Sequence, residues 1–205
     1  MAVVSNGTTL IDAGAISVAT GNLVLIKTLT ASSSATLSFV DGTSDVVLDN
    51  TYDEYIFTFT DIHPANNGVS LGFQGNAAGG ADYNETITSA FFQCTHKEND
   101  DAVTAPAYET DSDQAQGTAF QQIMRYLGND NDQSGSGYLH LFNPSSTTFV
   151  KHFISEIHHS HASDRAERDF IAGYFNTTSA IDEIQFKMSS GDIDAGTIKM
   201  YGVKS

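Results

Sequence analysis

Residues 54–62, EYIFTFTDI, alternate with period two, which puts Tyr55, Phe57 and Phe59 on one side of an extended chain and Ile56, Thr58 and Thr60 on the other. The device recurs in LVLIKTL from Leu23, ATLSFV from Ala35, VSLGFQG from Val69 and ITSAFFQC from Ile87. It continues in TAFQQIMRYL from Thr118, GYLHLFN from Gly137, TTFVKHFISEIHH from Thr147 and DFIAGYFN from Asp169. A closing pair of runs, around Phe186 and Met200, is joined by the turn-like SSGDIDAG. Polar turn signals separate the runs, and no stretch shows the spacing of a helix of three turns. A chain of this kind reaches a core by pairing its strands and burying one face of each sheet against another. The expectation is therefore all-β: an antiparallel β-sandwich of about ten strands, jelly-roll-like, with an immunoglobulin-like sandwich as the second topology.

The chain carries 17 Gly but 3 Pro, with 13 Phe and 8 Tyr as its large apolar groups, a balance suited to pleated strands and tight turns. Its 205 residues suffice for one sizeable core, so residues 22–205 are expected to form a single β-sandwich domain. Residues 1–21 are polar, small and glycine-punctuated, and read as an N-terminal arm suited to docking on a neighbouring subunit. The acidic THKENDDAVTAPAYETDSDQAQG from Thr95 reads as a long surface excursion, and SHASDRAERDF from Ser160 as a loop.

Formal net charge is −16, from 25 acidic and 9 basic side chains. Such a surface repels phosphate backbones and anionic lipid heads, so nucleic acid and membranes are not expected partners. No window approaches the roughly 18 apolar residues of a membrane span, and no basic-then-apolar leader is seen, so a product assembled in the cytoplasm is expected. Cys94 is the single cysteine and excludes an internal disulfide; closing the apolar run SAFFQC, it is expected as a buried structural thiol.

Two clusters carry metal-ligating chemistry. His159 and His161, two apart on a strand, project from one face and could chelate a transition metal, with His152, Asp164 or a symmetry-related copy completing the set. In GNDNDQSGSG, the residues Asp130, Asp132 and Ser134 reproduce the opening of a calcium loop, alternating oxygens followed by a turn-permitting glycine. That match stops at Leu141, which stands where the closing bidentate glutamate belongs, and a polar hairpin tip explains the same residues. The sequence holds no nucleophile elbow, zinc-protease motif, phosphate loop or dinucleotide fingerprint. It is read as non-enzymatic, with no cofactor beyond a divalent cation at one of these clusters.

The segments SGSGYLHLFNPSSTTFVKHFIS, DFIAGYFNTTSAIDEIQFKMSSGDIDAGTIKMYGVKS and the opening MAVVSNGTTLIDAGAISVATGNLVLIKTLTASSSATLSFVD resemble virion structural proteins of marine tailed phages, especially those infecting cyanobacteria. The resemblance spans most of the chain and is weakest from about Lys97 to Gln116. It implies a jelly-roll fibre-head or capsid-surface protein of the virion, homo-oligomeric and often trimeric, whose partners are other virion proteins. It also implies a role in assembly, in attachment to a host surface glycan or protein, or in both; for attachment, the residues themselves offer the long acidic stretch, the GNDNDQSG segment and Tyr83, Tyr108 and Tyr138 as candidate contacts. It assigns no functional residue. The alternative from another class is a carbohydrate-binding β-sandwich module recognising a surface glycan, against which the absence of tryptophan counts.

Overall fold

The computed structural model describes residues 3–5, 8–12, 15–16, 22–100 and 103–204. Among the described residues there is no helix. Three short strands, β1 (Val3–Ser5), β2 (Thr8–Asp12) and β3 (Ala15–Ile16), pair only with one another. The rest of the arm expected over residues 1–21 lies outside the described residues. A second sheet holds 13 strands, all antiparallel. They are β4 (Leu23–Thr30), β5 (Leu37–Val40), β6 (Glu54–Pro64), β7 (Val69–Ala77), β8 (Ile87–Lys97), β9 (Val103–Tyr108) and β10 (Ala115–Gly117). There follow β11 (Gln121–Leu127), β12 (Gly135–Phe142), β13 (Lys151–His161), β14 (Arg165–Phe175), β15 (Ile181–Met188) and β16 (Ile193–Val203).

The hydrogen-bonded path runs β4-β16-β6-β12-β13-β11-β7-β15-β5. Strand β13 is its branch point: β12 lies along one edge, β14 along the other, and a single pair, Leu127↔His161, ties it to β11. From β14 the sheet widens to β8, whose far edge carries β9 and β10. The sheet folds over at β13, so that β11-β7-β15-β5 faces β16-β6-β12-β13-β14, and the whole nearly closes into a barrel-like shape.

The two walls meet through aromatic rings. Phe186 on β15 lies 5.5 Å from Phe57 and 5.3 Å from Phe59 of β6, and Phe73 on β7 lies 5.0 Å from Phe153 on β13, all edge-on. The alternation read from the sequence decides which residues arrive there. Tyr55, Phe57 and Phe59 are buried while Ile56 and Thr58 are half-buried, and Ile184, Phe186, Met188, Ile198 and Met200 are all core residues. Each such side chain contributes roughly 1.5–3 kcal/mol by leaving water. Strand β7 departs from the rule, because it is buried on both faces from Val69 to Asn76. Its second face is covered by the approach to β11: Gln74 Nε2 donates to the carbonyl oxygens of Glu85, Thr118 and Ala119. Gly72 permits that approach, since a Cβ there would stand 3.1 Å from Phe120 Cβ and 3.3 Å from the Gln121 carbonyl oxygen.

Four expectations are corrected. The main sheet has 13 strands rather than about ten. The acidic stretch after Thr95 is no free excursion, for β9 and β10 pair with β8 and take their order from its edge. The segment after Ser160 is no loop: β13 runs to His161, β14 starts at Arg165, and three residues turn the hairpin. Cys94 is only half-buried, because it falls on the outer face of β8, opposite Arg168.

Candidate functional site

The inward side chains of β8, β13 and β14 change character along their length. Phe91, Phe153, Ile157, Ile171 and Phe175 fill one end of the interior; Thr95, His159, His161, Glu167 and Asp169 occupy the other, and all are buried. The long β13–β14 hairpin creates this grouping by register, setting His159 opposite Glu167 and Ile157 opposite Asp169. Strand β8 then places Thr95 beside Glu167 and Gln93 beside Asp169.

Strand β11 roofs the polar end, and its irregularity matters. The register against β7 shifts between Met124 and Leu127, which leaves the Arg125 peptide out of the ladder, and Tyr126 adopts the left-handed region at φ 47°. The released peptide groups turn to the cluster. The Arg125 carbonyl accepts from His159 Nε2 at 2.6 Å, and the Arg125 N–H donates to Asp169 Oδ2 at 3.3 Å. The Arg125 guanidinium is itself buried and pairs with Glu109 at 2.5 Å.

With Nε2 donating, the His159 ring presents its lone pair at Nδ1. That atom lies 3.7 Å from Asp169 Oδ2 with both side chains fully buried, and neither it nor Asp169 Oδ1 has a hydrogen-bond partner among the described residues. His161 Nδ1 accepts the Ser163 N–H at 2.9 Å, so its Nε2 carries the proton toward Glu167, 3.9 Å away. Burial dominates the electrostatics. It pushes Asp169 up to about 8, with repulsion from Glu167 adding to the rise, and Glu167 up to about 7 against the pull of Arg125 and Arg165. The same desolvation drops His159 to about 3 and His161 to about 4. Burial thus disfavours the charged form of both His159 and Asp169, and the contact is no ion pair.

His159 and His161 do share one face of β13, as two residues apart on a strand must, but that face is the interior. His159 Nε2 is engaged by the Arg125 carbonyl and His161 Nδ1 by the Ser163 N–H, and the burial of both rings leaves no room for a site shared around a symmetry axis. His152 lies exposed on the opposite face against Tyr174, and Asp164 lies exposed in the hairpin turn, so neither completes a set with them. What the sequence reading missed is the carboxyl pair, Glu167 and Asp169. Its signal was E-x-D two apart, in step with H-x-H across a three-residue turn.

Asp130, Asp132 and Ser134 fall in the connection from β11 to β12, which is no hairpin tip, because β11 pairs with β7 and β13 while β12 pairs with β6 and β13; there the Gln133 N–H donates to the Asp130 carbonyl at 2.8 Å and the Ser160 N–H to that of Ser134 at 3.0 Å. Asp132 and Ser134 line an open cleft with Asp61, His63 and Asp194; Asp130 and Asp132 are exposed, and the carboxylates do not converge on a point. The candidate tyrosines are each tied to an acid: Tyr83 donates to Glu183, Tyr108 to Asp113 and Tyr138 to Glu156. No family model matches this chain, and neither a curated protein nor a solved structure matches it. Its class thus rests on its own architecture, an all-β antiparallel sheet nearly closed on itself.

Proposed function

We propose that this protein is a non-enzymatic structural subunit of a phage virion, a fibre-head-like or capsid-decoration component on the particle exterior that self-associates through the outer face of β8, β13 and β14. The observation that carries the reading is the apolar character of that face. Phe92 and Phe170 stack across β8 and β14 with centroids 4.8 Å apart and planes within 9°, and Phe92 remains 42% exposed. The next rung sets Ile154, 48% exposed, beside Ala172 and Ala90. Around the rim, Arg168 lies 4.9 Å over the Phe170 ring and pairs with Glu156. A continuous apolar strip on a chain of charge −16 is the mark of a surface covered by another molecule, and closed homo-oligomers cover such strips symmetrically.

Connectivity supports the jelly-roll reading. Strands β4-β16-β6-β12 form one four-stranded unit and β5-β15-β7-β11 another, with the chain passing between them in the order of two wrapped Greek keys. Strands β8–β10 and β13–β14 then enter as two insertions that broaden the first unit and build the apolar face. Viral capsid domains use this architecture, as do lectins, so the fold alone does not choose the role. The resemblance of the sequence to marine phage virion proteins favours the first.

Imaging and mass spectrometry of purified particles, with the subunit labelled, test the proposal. Copies spread over the shell mean decoration and copies on the tail mean a fibre-type role; protein absent from particles overturns the reading.

A further inference from the structure

We propose that His159 Nδ1 and the carboxylates of Glu167 and Asp169 form a closed, structural site for a divalent first-row transition ion, with Zn2+ the ion to test. The three donor atoms lie within 4.8 Å of one another on buried side chains. The decisive distance is the 3.7 Å between His159 Nδ1 and Asp169 Oδ2. It is too long for a hydrogen bond, and a bridging water would hold the atoms about 4.5 Å apart. Two donors each about 2.1 Å from one ion, and separated by that distance, subtend an angle of roughly 125°, within reach of tetrahedral coordination.

The surroundings fit an ion rather than a hydrogen-bonded triad. His159 Nε2 donates to the Arg125 carbonyl, which fixes the tautomer that leaves Nδ1 free to ligate, as partners of metal-bound imidazoles do. His161, held by the Ser163 N–H, directs its own N–H at Glu167 and orients that carboxylate from outside. Arg125 pairs with Glu109, and an ion entering the interior displaces the carboxyl protons as it binds, because a ligating carboxylate is deprotonated. One imidazole and two carboxylates select a borderline ion over Ca2+, which takes six to eight oxygens. Thr95 Oγ1, buried without a hydrogen-bond partner among the described residues on the strand beside Glu167, or a water would complete the set. The ligand side chains are buried, so the ion would pin the β13–β14 hairpin beneath β11 and its role is to hold the fold.

The protein is stripped with chelator, and Zn2+ and Co2+ are titrated back. The expected result is one equivalent per chain, a tetrahedral Co2+ visible spectrum, and a thermal midpoint that rises with Zn2+ and falls again with chelator. Asp169→Asn and Glu167→Gln should each lose at least tenfold in affinity, while His158→Ala, on the exposed face of the same strand, should bind unchanged. Zinc absorption spectroscopy covers the case of variants that fail to fold. A single imidazole with oxygen ligands supports the site, and two or more imidazoles overturn it. Absence of binding to the folded protein, or binding that survives in Asp169→Asn, also overturns it.

Discussion

Replacing Phe186 with alanine removes the ring at which the two walls meet. Phe186 is fully buried and its centroid lies 6.2, 5.5, 5.3 and 6.3 Å from those of Phe39, Phe57, Phe59 and Phe73. The vacated volume is about 100 Å³, which at about 24 cal/mol per Å³ destabilises by about 2.4 kcal/mol, and the lost transfer free energy adds about 2 kcal/mol. The expected loss is therefore about 4–5 kcal/mol, or roughly 8–20 °C in Tm for a chain of this size. Urea unfolding followed by far-UV circular dichroism and tyrosine fluorescence measures it, with an unchanged m-value confirming that the native state is intact. Phe149→Ala is the control, because that ring is 69% exposed and its removal should stay within about 0.5 kcal/mol. A loss below about 1.5 kcal/mol for Phe186→Ala, or an equal loss for both variants, would refute the packing of β15 against β6.

Tyr55 and Tyr83 should ionise late. Burial pushes each up to about 12, and Tyr55 donates to the Asp49 carbonyl while Tyr83 donates to Glu183. A phenol whose folded pKa lies above its unfolded value near 10 stabilises the fold fully below pH 10, and that contribution is lost as pH rises through about 12. Ultraviolet titration with parallel unfolding curves should show late ionisation accompanied by alkaline destabilisation; Tyr55→Phe should lose one late-ionising phenol and part of the destabilisation, and the double variant Tyr55→Phe, Tyr83→Phe should lose both. Glu109→Gln leaves the Arg125 guanidinium buried against a neutral partner and should lose about 3–5 kcal/mol, whereas the double variant Arg125→Met, Glu109→Leu should recover most of it; calorimetry of both decides.

The strands that sequence reveals are those whose two faces meet different surroundings. Phe57 and Thr58, or Phe186 and Lys187, differ because one sits between the walls and the other does not. Strand β7 defeats the rule because Gly72 and Gln74, its second face, are covered by a segment more than forty residues on, a fact of tertiary packing. Strands β9 and β10 are also set from outside, by the edge of β8, and their own short sequences, VTAPAY and AQG, lie inside an acidic stretch with no sustained period. The polar interior was half visible. His159 and His161 drew notice as ligand types, and their shared face followed from strand geometry. Their inward direction and their carboxyl partners depended on a hairpin register and on the bulge of β11, neither of which the residue types declare.

The assembly face is tested most directly by sedimentation equilibrium of the purified protein beside Ile154→Glu. That substitution puts a charge on the exposed rung next to Ala172 and leaves the core untouched. The expected result is a closed multiple of the chain mass for the wild type and a folded monomer for the variant. A wild-type monomer at micromolar concentration, or an oligomer that Ile154→Glu does not disturb, contradicts it.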